Sequence, residues 1–273
     1  MSEENAKSYY DSDVDAIYQS TWGGENIHCG IYERTDDVRQ ASMETNRFLA
    51  DHLDLGSDAR VLDLGSGYGG LCRYLARRYG CRVTGLNISE RQNRRAIQKN
   101  RSEGLDHLID IQQGTFQDPP FGDGEFDAIV SQDALVHSPS KPRVIREACR
   151  ILSPGGRLAF FDILLGDENI PEKEQQEIYR RIRLTDMATF LYYHTLLQKA
   201  GFRILTIQNR TPDLTTHYAR VRDVLLDKYT VLTSRIPGDT IKNAIDGMEM
   251  WVDKSRSGKV CWGFFAAEKA THP

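Results

Sequence analysis

The chain has 273 residues, long enough to bury a sizeable core without covalent staples. Hydrophobic residues make up 40% and charged residues 27%, as in ordinary globular proteins, and a net charge of −4 argues against binding nucleic acid by bulk charge. Five cysteines without a CxxC pair indicate neither a disulfide framework nor a metal site, and a polar, acidic start with no long apolar run leads to the expectation of a cytoplasmic protein with no membrane contact.

Residues 1–34 read as irregular, with aromatics at Tyr9, Tyr10, Tyr18, Trp22 and Tyr32. Apolar side chains then recur at helical spacing over 36–54. At Arg60 the period changes. The run RVLDL (60–64) ends in glycines, as a buried strand does. A helix is expected over 71–78, a strand over 82–86, and a helix over 90–101 with Ser89 as its N-cap. Strands follow at 109–112 and 126–131. A helix over 141–152 is expected to stop at Pro154-Gly155-Gly156, before a fifth strand at 157–164. This alternation predicts a parallel sheet with helices on both faces. Residues 172–200 read as helical and 202–208 as a sixth strand. Helices are expected at 218–229 and 241–252, parted by a loop at Pro237-Gly238. The β-rich run 260–267 closes the series, which makes 212–257 an insert into the α/β core. No linker divides the chain.

The strongest motif follows the first strand: Asp63-Leu-Gly65-Ser66-Gly67-Tyr-Gly69-Gly70. Gly65, Gly67 and Gly70 satisfy the dinucleotide pattern GxGxxG, in which glycines let backbone approach a ligand closely. Asp63 tilts the choice. A carboxylate beside a pyrophosphate is unhelpful, whereas beside the ammonium and sulfonium of S-adenosylmethionine it is favourable. The second strand ends at Asn87, where either cofactor class would ordinarily place an acid for the ribose. A neutral amide still offers a donor and an acceptor. Thr115 and Phe116 follow the third strand and suit an adenine. Gln132, Asp133 and His137 follow the fourth, where carboxyl ends of strands face the ligand crevice.

These motifs, in this order, resemble the class I S-adenosylmethionine-dependent methyltransferases. More narrowly, WGGENIHCGIY (22–32), LDLGSGYGG (62–70), LNIS (86–89), SQDALVHSPSK (131–141), RIRLTDM (181–187), HYARVR (217–222) and SGKVCWG (257–263) look like the sarcosine/dimethylglycine N-methyltransferases, which make glycine betaine. The resemblance implies a single-domain, three-layer Rossmann-like α/β fold with a seven-stranded sheet. That sheet is mostly parallel with an antiparallel last strand, and a helical cap or insert is added to it. It divides the chain into an N-terminal aromatic lid and helix (1–55), a cofactor-binding core (56–165), substrate-side helices and insert around the sixth strand (166–257) and the final strand (258–273). S-adenosylmethionine is the implied cofactor, and no metal is implied. Asp63, Gly65, Ser66 and Gly67 would line its methionine end, Asn87, Ile88 and Gln92 the ribose, and Thr115, Phe116 and Gln132 the rest of its cleft. Tyr18 and Trp22 would fold over it.

The implied partner is a small amine, with no nucleic acid, membrane or inferable protein partner. Methyl transfer to an amine needs the neutral lone pair, although a free amine titrates near pH 10, by analogy with lysine. His137 is expected to remove the proton or position the amine. Aromatic faces stabilise the cationic product, and Tyr192, Tyr193, Tyr218 and Trp262 lie in segments suited to that wall. Arg181 and Arg183 suit the carboxylate, with His217 sharing it and His28 completing the substrate side. The alternative keeps the cofactor but substitutes a prenylated quinol, sterol or other lipid, because LGSGYGG is shared loosely with lipid methyltransferases. A non-catalytic cofactor-binding protein is a third reading.

Overall fold

Strands β1 (Arg60–Leu64), β2 (Arg82–Asn87), β3 (Ile109–Gln113), β4 (Phe126–Gln132) and β5 (Leu152–Leu165) alternate with helices along the chain, and β6 (Phe202–Asn209) and β7 (Val260–Lys269) complete one sheet. The computed structural model describes residues 14–22, 24–182 and 184–271. The strand order is β3-β2-β1-β4-β5-β7-β6 in a 7-stranded sheet. β1 to β5 pair in parallel, and β7 runs antiparallel between β5 and β6. The expected fold class is the one observed.

Helices pack on both faces. α1 (Val14–Thr21) and α2 (Val38–Ala50) precede the sheet, and α3 (Gly70–Tyr79) and α4 (Glu90–Ser102) follow β1 and β2. α3 is bracketed by left-handed glycines, Gly69 at φ 72° and Gly80 at φ 70°. The Ser89 hydroxyl caps α4 by accepting from the backbone N–H of Gln92 at 3.2 Å. A short 3₁₀ turn, Leu135–His137, leads into α5 (Lys141–Ile151).

Four expectations are corrected. Val14–Thr21 is helical where irregular chain was expected. Pro154 to Gly156 do not end a helix in a turn: they lie inside β5, where the pairing with β4 shifts register and Gly155 takes φ 76°. The stretch 172–200 is two helices, α6 (Glu172–Arg180) and α7 (Phe190–Lys199). Tertiary pairing breaks it, since the Leu165 N–H donates to the Ala188 carbonyl at 2.8 Å and Thr189 caps α7. Finally, α8 (Thr211–Asp227) begins well before Tyr218, because Pro212 sits in its first turn, where no N–H is missed. A single turn, α9 (Tyr229–Leu232), leads to α10 (Gly238–Arg256).

Successive side chains of β5 and β7 serve opposite cores, as the two-residue period requires. Phe160 stacks on Phe265 at 4.8 Å in one apolar cluster, and Phe161 on Trp262 at 4.4 Å in the other. No helix is long and apolar enough to cross a membrane among the described residues.

Candidate active site

A cleft of about 700 Å³ opens at the carboxyl ends of β1, β2 and β4. It borders a smaller cavity beneath the glycine turn, lined by His28, Asp63, Ser66 and Tyr68. Gly65 and Gly67 line both, at φ 82° and 52°. A side chain on Gly65 would run into Ala134, and one on Gly67 would meet Ile27 Cδ1 at 3.3 Å. The glycines thus allow three walls to close on one ligand: the β1 turn, the β4 turn and the N-terminal segment. Asp63 is buried, and that burial pushes its pKa up to about 7, against the Cys72 thiol donating at 3.3 Å. Ser66 Oγ and Gln92 Nε2 are buried without hydrogen-bond partners among the described residues. Such orphaned groups in a glycine-lined cleft fit a polar ligand carrying hydroxyls and charge.

Asn87 is oriented by its neighbours. The Asn93 amide N–H₂ donates to the Asn87 backbone carbonyl at 3.1 Å, so Asn93 Oδ1 must accept. Asn87 Nδ2 donates to it at 3.0 Å and to Gln92 Oε1 at 3.1 Å. Both N–H groups are spent, which leaves Asn87 Oδ1 as an acceptor for a ribose hydroxyl. Ile88, Thr115 and Phe116 line the same cleft, with Gln132 and His137. Gln132 donates to Asn46 Oδ1 at 3.1 Å. Burial pushes His137 down to about 4, so its ring is neutral at neutral pH.

Tyr18 and Trp22 do not line this cleft. Together with Arg181 they border a second, wider one of about 1660 Å³ between α1, α6 and α10. The Arg181 guanidinium lies over the rings of Tyr218 at 4.4 Å and Trp251 at 4.5 Å. Trp22 meets His217 edge to face at 5.5 Å. Asp133, which lines the first cleft, adopts φ 52°, the only non-glycine residue with positive φ among the described residues. Its Oδ1 accepts from Trp262 Nε1 and its Oδ2 from the Cys29 N–H, both at 2.7 Å. That clasp ties β7 and the N-terminal segment to the end of β4, and it offsets the strained backbone.

Two expected substrate residues are placed elsewhere. Tyr193 is fully buried in the opposite cluster, its hydroxyl donating to Asp162 Oδ2 at 2.7 Å, and it lines neither cleft. Trp262 is also fully buried, and its indole serves Asp133. Arg183 lies outside the described residues. His28, Arg181, His217 and Tyr218 are brought together. The orienting role of Asn93 and the clasp at Asp133 were not anticipated. The position of Asp133 after β4 was the available signal, but its backbone conformation left none.

A family model described as a methyltransferase domain matches residues 62–160. A sarcosine/dimethylglycine N-methyltransferase of Halorhodospira halochloris is 41% identical over 97% of this chain and 96% of its own length. One of Aphanothece halophytica is 34% identical over 97% of each. The solved structure of a protein assigned as a sarcosine dimethylglycine methyltransferase of Galdieria sulphuraria superposes with a TM-score of 0.88. It is 34% identical, covering 95% of this chain and 99% of that one.

Proposed function

Because the chain belongs to the sarcosine/dimethylglycine N-methyltransferase family of S-adenosylmethionine-dependent enzymes, we propose that it methylates sarcosine and N,N-dimethylglycine to glycine betaine. S-adenosylmethionine is the cofactor, and when bound it supplies an electrophilic methyl group on a cationic sulfur. Asp63, Gly65, Ser66 and Gly67 would hold its methionine end, Asn87, Ile88 and Gln92 its ribose, and Thr115, Phe116 and Gln132 its base side.

The observation that carries the substrate is the pairing of opposite charges. Arg181, braced over two aromatic rings, suits a carboxylate. Asp133, clasped by Trp262 and Cys29, stabilises positive charge developing on the amine nitrogen. Both charges act on the buried Cys29 thiol, Asp133 raising its pKa and Arg181 lowering it. An anion site and a cation site within electrostatic reach of one thiol match a small amino acid. Trp22, Tyr218 and His217 provide its aromatic surroundings, and alignment of the amine with the methyl group supplies much of the acceleration. His137 helps align the amine from the cofactor side. His137→Ala then lowers kcat by more than it weakens cofactor binding, and equal losses would place it with the cofactor alone.

A lipid substrate would need a long, wholly apolar cleft, whereas the second cleft mixes Ile17, Trp22 and Met248 with the charged Glu177, Arg180, Arg181 and Asp246. The test is product identity. Incubation with labelled cofactor and a panel of sarcosine, dimethylglycine and a prenylated quinol should give betaine by mass spectrometry. Labelled quinol without betaine would overturn the assignment.

A further inference from the structure

Two buried imidazoles each keep one ring nitrogen unspent, and their backbone partners decide which. His28 Nδ1 lies 2.9 Å from the carbonyl oxygen of Cys29, which can only accept. Nδ1 therefore carries the hydrogen, and Nε2 of the neutral ring is a bare acceptor. His217 is the reverse. The Gly30 N–H donates to its Nδ1 at 3.1 Å, and the Tyr32 hydroxyl lies 3.0 Å from the same atom. Nδ1 is therefore the lone pair, and Nε2 carries the hydrogen. Both Nε2 atoms are buried without a hydrogen-bond partner among the described residues. Orphaned buried polar atoms are uncommon and call for a partner. The His28 ring feels the Asp133 charge and the Asn46 side chain, and the His217 ring feels His28 and Arg181, so the two unspent nitrogens, one an acceptor and one a donor, belong to neighbouring rings.

We propose that His28 Nε2 accepts the N–H of a secondary amine and so makes this site treat sarcosine differently from dimethylglycine, while His217 Nε2–H donates to the carboxylate beside Arg181. The proposal rests on the functional reading above. In the sarcosine step the nitrogen lone pair forms the new C–N bond, and the electrons of the broken methyl–sulfur bond stay with sulfur. The nitrogen is then cationic and still bears one hydrogen. That hydrogen stays on nitrogen, hydrogen-bonded to His28 Nε2, and the product leaves as dimethylglycine with an ammonium nitrogen. Burial disfavours the charged ring, so His28 serves as a neutral acceptor that orients the lone pair. Neutral dimethylglycine has no N–H, so its methylation makes no use of this acceptor.

Two variants separate the ring's functions. In His28→Asn the amide N–H₂ replaces Nδ1–H and keeps the Cys29 carbonyl partnered, but the distal acceptor is gone. In His28→Gln the longer amide oxygen reaches towards the place of Nε2. The expected result is a fall of roughly ten- to a hundredfold in the sarcosine-to-dimethylglycine ratio of kcat/KM for His28→Asn, with most of it recovered in His28→Gln. An unchanged ratio, or equal losses in both variants, overturns the proposal. So does a loss of cofactor affinity by calorimetry that matches the loss in ratio, since His28 also borders the cavity beneath the glycine turn. The unaltered protein gives an independent readout: the ¹⁵N resonance of His28 Nε2 should move when sarcosine binds and hold still with dimethylglycine, and identical responses overturn the idea. If the unaltered enzyme methylates neither amine, the functional reading fails and takes this proposal with it. If it methylates both and the ratio holds, this proposal alone fails.

Discussion

At Asp63 the proton and the ligand compete for one carboxylate. Burial, opposed by the Cys72 thiol, holds its pKa at about 7, so near neutral pH both protonation states are populated in the free site. A ligand bearing an ammonium and a sulfonium favours the ionised form. Binding at pH 7 should therefore release a substantial fraction of one proton. Calorimetry in two buffers of different ionisation enthalpy would detect it, and Asp63→Asn should abolish it. Asn87 makes the opposite point, that a neutral side chain can serve where an acid is usual. Asn87→Ala should weaken cofactor binding by about 1–2 kcal/mol, the loss of one buried hydrogen bond. Asn87→Asp should weaken it too. The new carboxylate would face Asn93 Oδ1, whose orientation the Asn87 backbone fixes, and Gln92 Oε1. Unchanged affinity in Asn87→Ala, measured by calorimetry, would remove Asn87 from the ribose site.

The N-terminal segment and the glycine turn act as one element. Buried Asp15 on α1 accepts from the Tyr68 hydroxyl and pairs with Arg91 at 3.2 Å and Arg95 at 3.1 Å. A side chain on Gly70 would collide with Asn26 and with the backbone of Glu25. Gly70→Ala should push residues 24–28 off the turn. Calorimetry and thermal unfolding should show cofactor affinity at least about tenfold lower and stability reduced by roughly 1–3 kcal/mol, the cost of overpacking. The cofactor side was legible in the sequence because it is local: each residue stands just beyond a strand whose apolar run ends in a turn. The bounds of β1 to β4 were legible for the same reason, β1 to the residue, whereas β5 begins five residues before its expected start. On the substrate side the resemblance pointed to His28, Arg181 and His217, but their contacts with one another and with Asp133 were not legible, because these residues come from segments far apart in the chain. Tyr192 and Tyr193 are adjacent in sequence, yet the helix turns Tyr193 into the core and leaves Tyr192 on the surface. The break between α6 and α7 was hidden because both halves have helical composition and the interruption is a tertiary pairing at Ala188.

Across the whole molecule, buried histidines and buried carboxylates tilt stability in opposite directions. His217 and His137 are pushed by burial from 6.5 to about 3 and about 4. The unfolded chain binds their protons first, so stability falls as pH drops below 6.5. Asp63 and Asp162 are pushed by burial from 3.8 to about 7. The folded chain holds their protons while the unfolded chain has lost them, so stability rises as pH falls from 7 towards 4. Each group contributes a slope of about 1.4 kcal/mol per pH unit, and the two kinds offset each other. Urea unfolding between pH 4.5 and 6 should therefore show a shallow dependence. Asp162→Asn removes one carboxylate and should make stability rise with pH more steeply, by about 1.4 kcal/mol per unit. An unchanged slope would mean that Asp162 is ionised in the folded protein.

The place of β7 between β5 and β6 also bears on how the protein is made. On the ribosome, β1 to β5 and the glycine turn are all synthesised before Val260–Lys269. Until that stretch emerges, β6 has no neighbour to join, β5 shows a bare edge, and Asp133 lacks the indole that holds it. A nascent chain can therefore shape the nucleoside side early, but it gains the side that would hold the amine only when the last strand slides into the gap. An interrupted translation product would expose two unpaired strand edges, a template for aggregation and a mark by which quality control can tell it from the finished enzyme.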